Sequence, residues 1–180
     1  MTFSWSGQKK DVILQAFCRR MATNQPLNMD LGALSAGRNE FEYTLDNAFF
    51  EALEQDVILG GDVKAVVCVL AHEDTFQLHL ELQGEVSVTC DRCLDPVSEP
   101  IEADDDLLIK LAAHDDEDDD CIYIDMTHPI LDLGWLLYEE ISVNLPIVCR
   151  HQPGECNPQM EELLQAHLCK TIDEETEQEI

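Results

Sequence analysis

The sequence predicts an α+β protein: an antiparallel β-meander forming a small barrel or sandwich, with two or three short helices packed on it. Three observations lead there. A series of segments alternates apolar and polar residues, as half-buried strands do. Short polar or glycine-containing turns separate them. After Pro129 the apolar period changes from two to that of a helix.

Leu27-Asn28-Met29-Asp30-Leu31 alternates and reads as the first strand, Gly32 to Gly37 as a turn, and Phe41 to Leu45 as a second strand. Asp46 is a good N-cap for a short helix through Phe49, Phe50 and Leu53. Gly60-Gly61 ends that connection. Strands are expected over Val63–Ala71 and Phe76–Leu82, with His72-Glu73-Asp74 as the turn between them. Gly84 then turns the chain into Val86–Thr89, followed by Val97–Ala103, Leu107–Leu111 and Cys121–Met126. Leu133, Leu136, Leu137 and Ile141 describe a helix from about Asp132 to Val143, and Met160–Leu168 a second. In domain terms, residues 1–26 form an N-terminal extension, with roughly helical spacing over Val12–Met21. Residues 27–168 form a single domain, and 169–180 an acidic tail. The run His114–Asp120 is expected to be an exposed loop; it lacks the glycine and ligand spacing of an EF-hand.

Ten Lys and Arg face 38 Asp and Glu, a formal net charge of −28. Such a surface repels phosphate backbones, so binding to naked nucleic acid through a basic footprint is not expected. Basic proteins would be attracted; the plainer account is that the charge keeps the chain in solution. The first twenty residues hold no continuous apolar stretch, and no segment approaches the length of a membrane span. A cytoplasmic location is therefore expected, where thiols stay reduced and clustered cysteines suggest metal rather than disulfides.

Of the eight cysteines, Cys18, Cys68, Cys121 and Cys169 have no partner spacing. Cys68, in the apolar run Ala65–Leu70, reads as a buried small hydrophobe. The informative set is Cys90-Asp91-Arg92-Cys93, answered by Cys149, His151 and Cys156. Two thiols separated by two residues can turn toward one ion, and Pro153-Gly154 can fold His151 and Cys156 together. Structural zinc takes four thiolates, or three and an imidazole. The metal-ligand candidates are Cys90, Cys93, His151 and Cys156, with Cys149 as the alternative, so five residues compete for four places.

Three other readings compete with this one. Zinc deaminases place H-x-E ahead of P-C-x-x-C; His79-Leu80-Glu81 matches the first part, but Thr89 rather than proline precedes Cys90. Thioredoxin-like redox activity needs a CxxC that opens a helix, whereas Leu94-Asp95-Pro96-Val97 looks like a turn into another strand. Reduced cysteines without metal are the bland alternative. No P-loop, GxSxG or GxGxxG is present, so no catalytic residue is assigned.

Cys90-Asp91-Arg92-Cys93-Leu94 resembles the CxRCL signature of the YceD family, the large ribosomal RNA subunit accumulation proteins. Leu31–Gly37, Phe41-Glu42-Tyr43 and Phe49-Phe50 are similar to that family's N-terminal block. Asp132-Leu133, Tyr138-Glu139 and Leu145-Pro146 resemble its helix and Leu-Pro block. His151 with Pro153–Pro158 and Met160 looks like the version in Bacteroidetes-type members. The resemblance covers roughly Leu27 to Leu168. The chain departs from the commonest form, whose C-terminal cysteines lie in closer CxxC-like pairs. The resemblance implies a non-enzymatic ribosome-biogenesis role in accumulation or processing of large-subunit ribosomal RNA. Joined to the charge, it suggests binding of a basic ribosomal protein or pre-ribosomal particle, with structural zinc as a fold staple. A zinc-dependent or thiol-redox enzyme using Cys90 and Cys93, and a generic acidic interaction protein, are the alternatives.

Overall fold

A computed structural model describes residues 27–112 and 121–167. The expected N-terminal helical spacing, the acidic run at 114–120, Cys18, Cys169 and the tail lie outside the described residues.

The strands are β1 (Asn28–Asp30), β2 (Gly37–Leu45), β3 (Ile58–His72), β4 (Thr75–Thr89), β5 (Pro96–Ala112), β6 (Ile122–Asp125) and β7 (Ile130–Asp132). The helices are α1 (Asn47–Ala52), α2 (Leu133–Asn144) and α3 (Pro158–His167). Strands β2-β3-β4-β5-β6 form one sheet and β1-β7 a two-stranded ribbon. The fold is α+β. The large sheet has β2 and β6 as its edges and does not close into a barrel, so of the two expected forms it is the sandwich-like one.

Two expectations are corrected. Gly60-Gly61 and Gly84 do not separate strands but lie inside them, so β3, β4 and β5 are much longer than the alternating runs suggest. A Cβ on Gly84 would sit 2.2 Å from the Asp62 carbonyl oxygen and 2.6 Å from the Val63 Cα. The glycine is there because the β3 backbone passes too close for any side chain. The meander is also not wholly antiparallel. β2 to β5 are, but β6 pairs parallel to β5, with Ile109 opposite Ile122.

The period-two pattern divides the sheet into two faces. Val63, Val67, Leu78, Leu80, Leu82 and Ile109 point inward and are fully buried. On that side α1 packs on β3 and α2 on β5. Asp46 caps α1 by accepting from Phe49 N–H at 3.1 Å, as anticipated, and buries Phe49 and Phe50. Such a cap contributes about 1 kcal/mol. Asp132 caps α2 in the same way, through Trp135 N–H at 3.0 Å. Leu133, Leu137 and Ile141, one helical turn apart, are fully buried and fix its inner face. Burying each contributes roughly 1.5–3 kcal/mol. No helix among the described residues is long and apolar enough to cross a membrane.

Candidate metal centre

The β4–β5 hairpin holds the first half of the site. Thr89 pairs with Pro96, and between them Cys90 N–H donates to the Asp95 carbonyl at 2.9 Å. Leu94 N–H donates to the Cys90 carbonyl at 3.0 Å, which requires Leu94 to adopt a left-handed backbone with φ of 65°. This turn points both thiols inward: Cys90 is 0% exposed and Cys93 1%.

The second half arrives after α2. Asp91 holds it with two bonds: its N–H donates to the Cys149 carbonyl at 2.9 Å, and its carboxylate accepts from Cys149 N–H at 2.8 Å. The chain then reverses at Gln152–Glu155, where Gly154 has φ of 93° and Glu155 N–H donates to the Gln152 carbonyl. Only glycine takes that φ freely, and the reversal returns Cys156 beside His151. Arg92 pairs with Glu161 of α3 at 2.7 Å, and Asn157 donates to Asp95 at 3.1 Å, so both flanks of the turn are tied down.

The ligand atoms of Cys90, Cys93, His151 and Cys156 all lie within 4.8 Å of one another. Cys149 is not in that cluster. Its thiol donates to the Pro146 carbonyl at 3.5 Å, because the Asp91 clamp fixes its backbone in the other direction. Three sulfurs and an imidazole are the donor set structural zinc prefers, and tetrahedral Zn–S bonds would bring sulfurs to about 3.8 Å. His151 Nε2 lies 3.0 Å from the Pro96 carbonyl, which can only accept; Nε2 therefore carries hydrogen and Nδ1, 3.3 Å from the Cys93 sulfur, faces the cluster. A fixed tautomer of this kind is how a protein orients an imidazole ligand.

The protonation states suit cation capture. Burial pushes the Cys90 thiol up, but backbone N–H groups from Cys93, His151 and Arg92 outweigh it and bring it down to about 6. His151 is raised above the usual imidazole value by its bond to Cys90. Both shifts favour a proton on His151 over one on Cys90. Burial, then the neighbouring Cys93 and Cys90 sulfurs, push Cys156 up to about 11. Burial and the nearby Glu99 and Asp91 charges raise Cys149, a further reason for it to remain a thiol.

The other candidates are placed elsewhere. His79 and Glu81 lie eleven and nine residues before Cys90, which follows the end of β4, so His79-Leu80-Glu81 is about 30–35 Å along the strand from the thiols and cannot share a site with them. The CDRC turn joins two strands and opens no helix. Cys68 is not a core residue: it sits half-buried on the outer face of the sheet, with Arg38 donating to its sulfur at 3.4 Å. One grouping went unseen in the sequence. His79 faces Asp106 across β4 and β5 with Nδ1–Oδ1 3.0 Å, and its Nε2 lies 3.2 Å from Glu81. The i, i+2 spacing in both strands was visible, but the register that joins them was not.

Comparison with curated proteins and with solved structures finds no match. The family model described as large ribosomal RNA subunit accumulation protein YceD matches residues 78–179. That stretch begins on β4 and contains both halves of the donor cluster; the N-terminal block at Leu31–Phe50 lies outside it. The match covers more than half of the 180 residues, and the chain belongs to the YceD family of large ribosomal RNA subunit accumulation proteins.

Proposed function

We propose that this chain is a non-enzymatic ribosome-biogenesis factor that supports accumulation of large-subunit ribosomal RNA in the cytoplasm. It would act by binding a basic ribosomal protein or an assembly intermediate. The observation that carries the reading is the family match, which spans the whole donor cluster. Cys90, Cys93, His151 and Cys156 would hold zinc, and the ion would supply cross-linking between the β4–β5 turn and the segment after α2. With four protein donors, no position is reserved for a substrate, which is the pattern of a structural site. The net charge of −28 disfavours direct gripping of RNA and favours a basic protein partner.

The observation on the side of a thiol enzyme is the low value of Cys90. Reactive cysteines combine a low value with exposure, and Cys90 has none. Ribosome sedimentation profiles of a depleted strain test the reading. A deficit of large subunits restored by the wild-type gene supports it; an unchanged profile overturns it.

A further inference from the structure

We propose that the outer face of the five-stranded sheet, centred on β3 and β4, is a docking surface for a lysine- and arginine-rich protein segment. This rests on the reading of the chain as an assembly factor with a basic protein partner, and names the surface such a partner would use.

The outer face is built in registered rows. One runs Glu40, Cys68, His79, Asp106 across β2 to β5, the next Glu42, Val66, Glu81, Asp104, and the third Thr44, Lys64, Gln83, Glu102. These three rows hold six carboxylates against one lysine and one histidine. All six carboxylate residues are exposed.

Two features go beyond net charge. Glu81 stands directly opposite Asp104. Like charges opposed across an antiparallel pair destabilise it; His79, 3.2 Å from Glu81 and 3.8 Å from Asp104, offsets part of that repulsion, and a cationic partner would relieve the remainder. Along β3, between the acidic banks of β2 and of β4–β5, runs an apolar line of Val66, Cys68 and Leu70, with Arg38 of β2 lying on the Cys68 sulfur at 3.4 Å and pairing with Glu40 at 3.2 Å. Leu70 is 46% exposed. Lysine and arginine have this same two-part character: aliphatic stems that cover apolar surface and charged heads that reach carboxylates. A phosphate backbone would meet only repulsion here.

The test uses the full-length protein and a synthetic peptide alternating arginine and leucine, with a glutamate-for-arginine peptide as control. Glu81→Lys with Asp106→Lys reverses charge on the face. Glu51→Lys with Asp56→Lys makes the same change in net charge at exposed positions in and just after α1. The face pair is expected to weaken peptide binding about tenfold, and the off-face pair less than about threefold. Glu81→Lys trades the exposed His79–Glu81 contact for a cation opposite Asp104, so its melting temperature should stay near the wild-type value while its affinity falls. That split would not arise from a fold defect. Equal losses from both pairs, or none from the face pair, overturn the docking surface. The sedimentation profile separates the two ideas. A depletion defect rescued fully by the face variant rejects this surface alone, and no depletion defect rejects the assembly role itself.

Discussion

The β4–β5 hairpin carries two groups of metal-capable side chains, and they differ in nearly every physical respect. At its tip, Cys90, Cys93, His151 and Cys156 are drawn from two distant segments, are largely buried, and are oriented by the Asp91 clamp and the Pro96 carbonyl. Midway along, His79, Glu81 and Asp104 come within the same mutual distance, yet both carboxylates are exposed. Proximity of donors is common on an acidic sheet. What distinguishes the tip is soft donors, exclusion of water and a second layer of hydrogen bonds.

The largest expected effect breaks the tip. Cys93→Ser or Cys156→Ser should abolish stoichiometric zinc in the purified protein and lower stability by on the order of 4 kcal/mol, read by metal analysis and thermal melting. His79→Gln should leave metal content unchanged. Equal zinc loss from both sites would erase the distinction. Next comes Gly84→Ala, which lies between the regions. Its methyl would strike β3 backbone, at a cost of roughly 2–3 kcal/mol without loss of zinc; a melting temperature at the wild-type value would contradict the close approach.

Asp91→Ala removes the carboxylate half of the clamp and leaves Cys149 N–H without its partner. It should cost about 1–2 kcal/mol and loosen zinc without removing a ligand, visible as faster metal loss to a chelator. A smaller effect concerns the metal-free protein. The Cys90 thiol is lowered in the fold, so its contribution to stability is present above the ordinary thiol value and fades as pH falls from about 9 through 6. Thiolate absorbance of the apoprotein should show one component titrating near 6, lost in Cys90→Ser. The absence of any component below 9 would rule out stabilisation of the Cys90 thiolate by the N–H groups around it. Smallest of all, His79 is raised by its bond to Glu81, opposed by partial burial and assisted by Asp106 and Asp104. Cys68 of β3 stands opposite it, with Arg38 of β2 on the far side of that thiol. Its nuclear magnetic resonance titration should lie above 6.5. The stability it adds should be fully present at acid pH and be lost as pH rises through that midpoint, by less than about 1 kcal/mol because the site is exposed.

Much of this was legible from local spacing. Asp46 declared its cap, the 133–137–141 repeat marked the buried face of α2, and CDRC with Cys149, His151 and Cys156 marked five candidate donors. What was hidden depends on long-range register. Val66 to Leu70 is apolar without a break, so the sequence gives no sign that Val67 and Val69 face in while Cys68 faces out. Glycine reads as punctuation unless the opposing backbone is known, which is why Gly84 looks like a turn in the sequence. Cys149 and His151 could not be ranked because the choice is made by Asp91, far away in sequence. The parallel pairing of β6 leaves no local mark, since Ile122–Asp125 has the same alternation either way.

The turn at Cys90–Asp95 also sets a phase. Side chains on β5 alternate through its middle, with Ile101, Ala103 and Ile109 inward and Glu102, Asp104 and Asp106 outward, Asp105 being a half-buried carboxylate in the inward phase. That assignment is inherited from the pairing of Thr89 with Pro96, and so from the number of residues the turn contains. One residue added between Cys93 and Pro96 would invert β5, sending its carboxylates against α2 and its aliphatic chains into water. The thiol-bearing turn is thus the ruler that decides which side of the molecule is acidic.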